Sequence, residues 1–126
     1  MNNYSFLSES EIIDFHSIVL SMFGWLDGIR DESAFKRALN RPEQHEYYNA
    51  KADVFFLAAV LIDGLVVSHP FNDCNKRTAL VSGLAFLKKN GIVIKNAPKD
   101  IAEKTMLSIA TVDSNVDDIV AFLKSL

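Results

Sequence analysis

The run His69-Pro70-Phe71-Asn72-Asp73-Cys74-Asn75-Lys76-Arg77-Thr78 gathers an imidazole, a carboxylate, amides, an ammonium, a guanidinium and a hydroxyl in one short segment. Apolar helical patterns lie on both sides of it, so the segment reads as a polar loop leading into a helix that starts at about Lys76. A helix N-terminus carries partial positive charge and ordinarily recruits acidic residues. Lys76 and Arg77 stand in that first turn instead, mildly unfavourable by about 0.3–1 kcal/mol per charge. A bound anion reverses the sign, because backbone N–H groups, helix dipole, Lys76 and Arg77 then all point at one phosphate. Asp73 is placed to hold Mg²⁺ on that phosphate, since Mg²⁺ prefers one or two carboxylates plus phosphate oxygens. His69 is the natural proton acceptor, imidazole being the side chain that titrates near neutral pH.

The elements that must position this segment read as a string of helices. Ser8 and Glu11 have the Ser-x-x-Glu form of a capping box, with Leu7 and Ile12 as its hydrophobic staple. Ile12, Phe15, Val19, Met22 and Phe23 then recur at helical spacing, giving a first helix to about Phe23 and a loop from Gly24 to Arg30. Asp31 caps a short second helix that buries Phe35, Ala38 and Leu39 and stops before Pro42. Residues Glu43 to Ala52 show no helical period and are expected to form an exposed loop or small hairpin. The stretch from Val54 to Ser68 is apolar nearly all round, as befits the central helix of a bundle, with Asp63 a satisfied or edge-exposed exception. Leu80, Leu84 and Leu87 stripe the fourth helix, Gly83 permits close approach, and Asn90-Gly91 ends it. A short extended piece, Ile92 to Ile94, precedes a fifth helix from Pro98 to Thr111. A second Ser-x-x-acid cap, Ser114 to Asp117, opens a last helix. The expected architecture is all-α, one domain over residues 1–126.

Composition narrows the function. The 126 residues include 13 Lys and Arg against 16 Asp and Glu, a net charge of −3 that argues against a nucleic-acid or anionic-membrane coat. A 49% apolar and 23% charged composition belongs to a folded globular chain. One cysteine makes neither an internal disulfide nor a thiolate metal site, which suits a reducing, cytoplasmic setting. No signal-peptide pattern opens the chain, and the longest apolar stretch is too short to span a bilayer. Cys74, beside Lys76 at a helix start, is a candidate acidic, oxidisable thiol. His16 is expected to be packed or surface-exposed, His45 to bind no metal, Phe23 and Trp25 to be core, and Lys88-Lys89 to be a solvated helix end.

The segment His69-x-Phe71-x-Asp73-x-Asn75-Lys76-Arg77 resembles the signature of the Fic/Doc family, and more narrowly its Doc branch, which has Asn-Lys-Arg where typical Fic enzymes have Gly-Asn-Gly-Arg. The resemblance continues in Gly28-Ile29-Arg30-Asp31-Glu32, in Ala38-Leu39-Asn40-Arg41-Pro42 and in Phe86-Leu87-Lys88-Lys89-Asn90-Gly91. It implies a compact Fic/Doc-type bundle of about six helices with a small flap. It also implies a toxin that transfers the γ-phosphate of ATP to a Ser or Thr hydroxyl of elongation factor Tu or a similar translation factor. By the same resemblance His69 is the base, Asp73 binds Mg²⁺, Asn75, Lys76 and Arg77 hold phosphates, Phe71 anchors the loop, and Thr78 is structural. The candidate flap is Glu43 to Lys51, pairing with the target by strand addition, or else its Tyr47 and Tyr48 cover the bundle end. The partner implied is a Phd-type antitoxin, and no self-inhibitory Fic motif is evident in the chain. The further arginine of typical Fic motifs is replaced here by Leu80, which tilts the reading from AMP transfer towards phosphoryl transfer. AMP transfer and a catalytically silent, partner-binding Fic module are the alternatives.

Overall fold

The computed structural model describes residues 4–49, 51–94 and 115–126. Among them are five helices: α1 (Glu9–Phe23), α2 (Glu32–Tyr48), α3 (Val54–Ser68), α4 (Asn75–Lys89) and α5 (Val116–Lys124). The fold is all-α, and the one β-type pairing among the described residues is an isolated antiparallel bridge between Ile29 and Phe71. The helix expected at 98–111 lies outside the described residues.

Helix α3 is the axis. It packs against α2, α4 and α5, while α1 lies on α4. Its apolar circumference fits that place: Leu57, Ala58, Ala59, Val60, Leu61, Ile62 and Leu65 are all buried. A side chain at Gly83 of α4 would run into Ile62 of α3, so a hydrogen at this position lets the two helices meet. Asp63, at the edge of α3, is bridged by Arg41 of α2 at 3.2 Å.

Helix α1 begins at the capping box read from its sequence. The Glu11 N–H donates to Ser8 Oγ (3.2 Å) and the Ser8 N–H to Glu11 Oε1 (3.0 Å). Its buried face is Ile12, His16 and Val19, and the expected stripe stops there, leaving Met22 and Phe23 exposed. Helix α4 ends as expected, with Gly91 at φ 86°. The Ile92 N–H donates to Leu87 O (3.0 Å) and the Gly91 N–H to Lys88 O (3.1 Å), the two bonds of a Schellman stop. Residues Ile92 to Ile94 pair with no strand among the described residues.

Two expectations about the helices change. The second helix does not stop before Pro42 but runs through it to Tyr48, absorbing Glu43 to Tyr48 of the segment expected to be loop or flap. A mid-helix proline removes one hydrogen bond and crowds the carbonyl four residues back, at about 3 kcal/mol. Tertiary packing outweighs that cost here: Ala34, Phe35, Ala38 and Pro42 are all buried. Arg41 is tied to Asp63, and His45 meets the Phe56 ring edge-on at 5.5 Å. Tyr47 and Tyr48 therefore project into solvent from a helix, forming neither hairpin nor cover for the bundle. The last helix is capped one residue later than expected, by Asn115, whose Oδ1 accepts the Asp118 N–H (2.9 Å).

Lys89 is not merely a solvated helix end. Its Nζ donates to the Phe6 carbonyl (3.2 Å) and to Glu11 Oε1 (2.9 Å), joining the end of α4 to the start of α1. The Ser8 N–H, then Lys89, hold the Glu11 carboxyl below its ordinary 4.5. A carboxyl depressed in the fold contributes stability above its unfolded pKa and loses it as pH falls through the folded one. Glu11→Gln preserves the capping geometry and removes the charge. At pH 7 it should cost at most about 1 kcal/mol, as for an exposed pair, and the difference from wild type should fade at an acidic pH below the lowered carboxyl pKa. Urea midpoints at the two pH values check this.

Candidate active site

The loop from His69 to Cys74 joins the end of α3 to the start of α4, and a left-handed residue closes it at each end. His69 has φ 46° and Cys74 has φ 61°. Neither is glycine, so each conformation costs about 1–2 kcal/mol and persists only where its surroundings over-determine it.

Three sets of contacts do so. From within, the Asn75 side chain clasps Phe71: its Oδ1 accepts the Phe71 N–H and its Nδ2 donates to the Phe71 carbonyl, both at 2.9 Å. From beneath, Phe71 is 2% exposed and lies flat on His16, ring centroids 3.9 Å apart at 10°, with Phe35 at 5.2 Å. His16 Nε2 is 3.0 Å from the Asp73 carbonyl; a carbonyl only accepts, so Nε2 carries the proton. From the side, the α1–α2 connection runs along the loop. The Asn72 N–H donates to Gly28 O (3.0 Å), Asn72 Nδ2 to Asp27 O (3.1 Å), and the Arg30 N–H to Pro70 O (2.7 Å). Arg30 also donates Nε to His69 O (2.7 Å) and Nη2 to Ser68 O (2.9 Å).

The loop opens onto a cleft of about 300 Å³ lined by Phe23, His69, Asn72, Asp73, Cys74, Asn75, Lys76 and Arg77. All five candidate site residues thus share one cavity. A larger groove between α2 and α3, about 400 Å³, holds Arg37, Arg41 and Gln44 but no candidate base or nucleophile of this loop. Within the cleft α4 starts with no side chain capping its first-turn N–H groups and no acid in that turn. Uncapped donors, Lys76 and Arg77 make an anion-binding end. The Arg77 guanidinium lies 3.9 Å above the Phe23 ring, and its buried Nε has no hydrogen-bond partner. Asn75 spends its Oδ1 and one Nδ2–H on Phe71, which leaves the second Nδ2–H outside that clasp.

The Asp73 carboxylate accepts the Trp25 N–H at Oδ2 (3.0 Å) and the Cys74 N–H at Oδ1 (2.9 Å). The Trp25 N–H, then that of Cys74, hold its carboxyl below the usual 3.8, so it is ionised at neutral pH. The same carboxylate ties the α1–α2 connection to the cleft. Among the described residues no three His, Cys, Asp or Glu side chains converge as a metal cage, so Asp73 is a single acidic donor. Cys74 departs from expectation. Burial, then the Asp73 charge, push its thiol up from the ordinary 9.0, with Arg77 opposing more weakly, so this is not an acidic, easily oxidised thiol.

Two aromatic expectations also change. Trp25 is 88% exposed and Phe23 46% exposed; neither fills the core, and Phe23 lines the cleft. Sequence reasoning missed the parts of His16 and Arg30. His16 falls at helical spacing between Ile12 and Val19, a signal that it faces inward, whereas nothing local pairs Arg30 with residues 38 and 39 positions away.

An all-α bundle whose central helix ends in a left-handed histidine, followed by an uncapped basic helix start, defines a class, and the chain belongs to it: the Fic/DOC family, whose model matches residues 6–87. The likeness extends beyond that stretch. Over 120 residues the chain is 32% identical to "Protein kinase doc" of Escherichia phage P1, with 95% of this chain and 94% of that protein covered. It is also 32% identical over 120 residues to "Toxin Doc" of Mycolicibacterium smegmatis, covering 94% and 90% respectively. No helix among the described residues is long and apolar enough to cross a membrane.

Proposed function

We propose that the chain is a Doc-type toxin that transfers the γ-phosphate of ATP to a Ser or Thr hydroxyl of a translation factor of the elongation factor Tu kind, and so stops translation. The observation that carries this reading is the meeting, in one cleft, of an exposed imidazole with an uncapped helix start bearing Lys76 and Arg77. The relatives named as a protein kinase and a toxin support it.

In this reading His69 takes the proton of the target hydroxyl as its oxygen bonds to the γ-phosphorus and the bond to the β-phosphate oxygen breaks, releasing ADP. Lys76, Arg77 and the first-turn N–H groups of α4 hold the phosphate oxygens, on which charge is spread during transfer. Asn75 serves the phosphates by keeping the loop closed over Phe71. Asp73, a single ionised carboxylate at the cleft, suits Mg²⁺, whose other ligands would be phosphate oxygens and water. Bound there, Mg²⁺ supplies charge neutralisation at the phosphates.

A specific observation weighs against AMP transfer. The position three residues after Arg77 is Leu80, 4% exposed and buried with the helix packing, so it brings no second cation to the cleft. The retained His69, Asp73 and Arg77 weigh against a silent module. The expected partner is an antitoxin of the Phd type, whose disordered segment folds on binding. Ile18, Met22, Trp25 and Leu26, all exposed on α1 and the connection that follows it, give such a segment an apolar surface. Adding the protein with ATP and Mg²⁺ to a bacterial cell-free translation reaction tests the toxin reading. Synthesis should stop; undiminished synthesis contradicts it.

A further inference from the structure

We propose that Arg30 is a positioning residue for His69, a clamp from the α1–α2 connection that holds the imidazole at the cleft; this rests on the reading of His69 as the base. The last carbonyls of any helix lack intrahelical donors, and α3 has no basic residue in its last turn to supply them. Arg30 supplies them from outside. Its Nε donates to the His69 carbonyl at 2.7 Å and its Nη2 to the Ser68 carbonyl at 2.9 Å, while its backbone N–H donates to the Pro70 carbonyl at 2.7 Å. Three successive carbonyls are thus gripped by one residue. Two of those bonds are charge-assisted, and the guanidinium fork has the planar geometry to make both at once.

The grip matters because of what it holds. The left-handed cap of a helix is ordinarily glycine, and here it is histidine at φ 46°. In that conformation the direction of the His69 side chain is set by the backbone. A return to an ordinary φ redirects the ring relative to the cleft that it lines with Asp73 and Lys76. The His69 side chain itself is exposed, so burial does not fix it. Arg30 therefore acts through the backbone, on orientation, and does not itself line the cleft.

The test uses the full chain with Arg30→Gln and Arg30→Lys. Backbone carbon shifts and the amide–Hα coupling of His69 report its φ by NMR, thermal melting reports folding, and initial rates with Mg²⁺-ATP report transfer. In folded R30Q the His69 signals should leave the left-handed range. The transfer rate should fall about tenfold to a hundredfold with KM for ATP unchanged, since misplacement by about 1 Å is enough for such losses. R30K keeps the charge and part of the donor set, and should recover the rate to within about threefold of wild type. Wild-type His69 signals in folded R30Q overturn the inference, as does an R30K rate no better than that of R30Q. If R30Q fails to fold, R30K alone decides: its His69 signals should shift partway towards the ordinary range, and unshifted signals overturn the inference. A wild-type chain that transfers no phosphate overturns the phosphotransfer reading instead, and the clamp is then judged on the His69 signals alone.

Discussion

His69→Ala should lower phosphate transfer by about a hundredfold to ten-thousandfold, the range that a positioned general base contributes, and should abolish growth arrest on expression. The residue caps α3 in the left-handed conformation and its side chain is exposed, so removing the ring leaves the core intact. His69→Asn is the sharper variant. Asparagine tolerates left-handed φ better than alanine does and supplies no base. Both variants should melt within a few degrees of wild type while losing transfer. A His69→Asn protein that retains wild-type transfer would show that the imidazole is not the base, whatever the remainder of the cleft does.

Phe71→Ala should give the largest loss of stability of any single change in the loop, about 3–5 kcal/mol, as for other buried aromatic truncations. Native domains of ordinary stability hold only about 5–15 kcal/mol in total, so the variant sits near the edge of folding. The reason is location. Phe71 is the floor of the loop, flat against His16 and close to Phe35, with its own N–H and C=O clasped by Asn75. Truncation opens a cavity beneath the two left-handed residues, whose strain then has less to oppose it. Urea denaturation measures the loss, and transfer should fall further than the unfolded fraction alone explains. A loss below about 1 kcal/mol would mean that the loop is held from its sides and not from its floor.

The chain's own patterns made much of this arrangement legible, and the exceptions share a cause. The capping box at Ser8 and Glu11, the all-round apolar α3 and the Asn90-Gly91 stop are local signals, each within a few residues, and each appears in the structure as read. The loop from His69 to Arg77 was legible because its polar residues adjoin one another. Pro42 misled because local propensity argued for a stop, while the contacts that carry α2 past it, Arg41 to Asp63 and His45 to Phe56, are made between helices. Trp25 and Phe23 misled because aromatic residues usually bury, whereas here both are exposed and Phe23 lines the cleft. Cys74 misled because a helix start and a nearby lysine suggested an acidic thiol, while burial and Asp73 act in the other direction. His16 and Arg30 support the loop across 57 and 39 positions of sequence, a separation no periodicity records.

Transfer of the γ-phosphate of ATP is the reaction proposed for this cleft. The most direct test incubates the protein with bacterial extract and Mg²⁺, once with γ-labelled and once with α-labelled ATP, alongside His69→Ala. A protein labelled from the γ position only, at the mass of elongation factor Tu, is expected, with no label from the variant. Label from the α position would contradict the proposal and make the cleft an AMP-transfer site, with Lys76 and Leu80 misjudged.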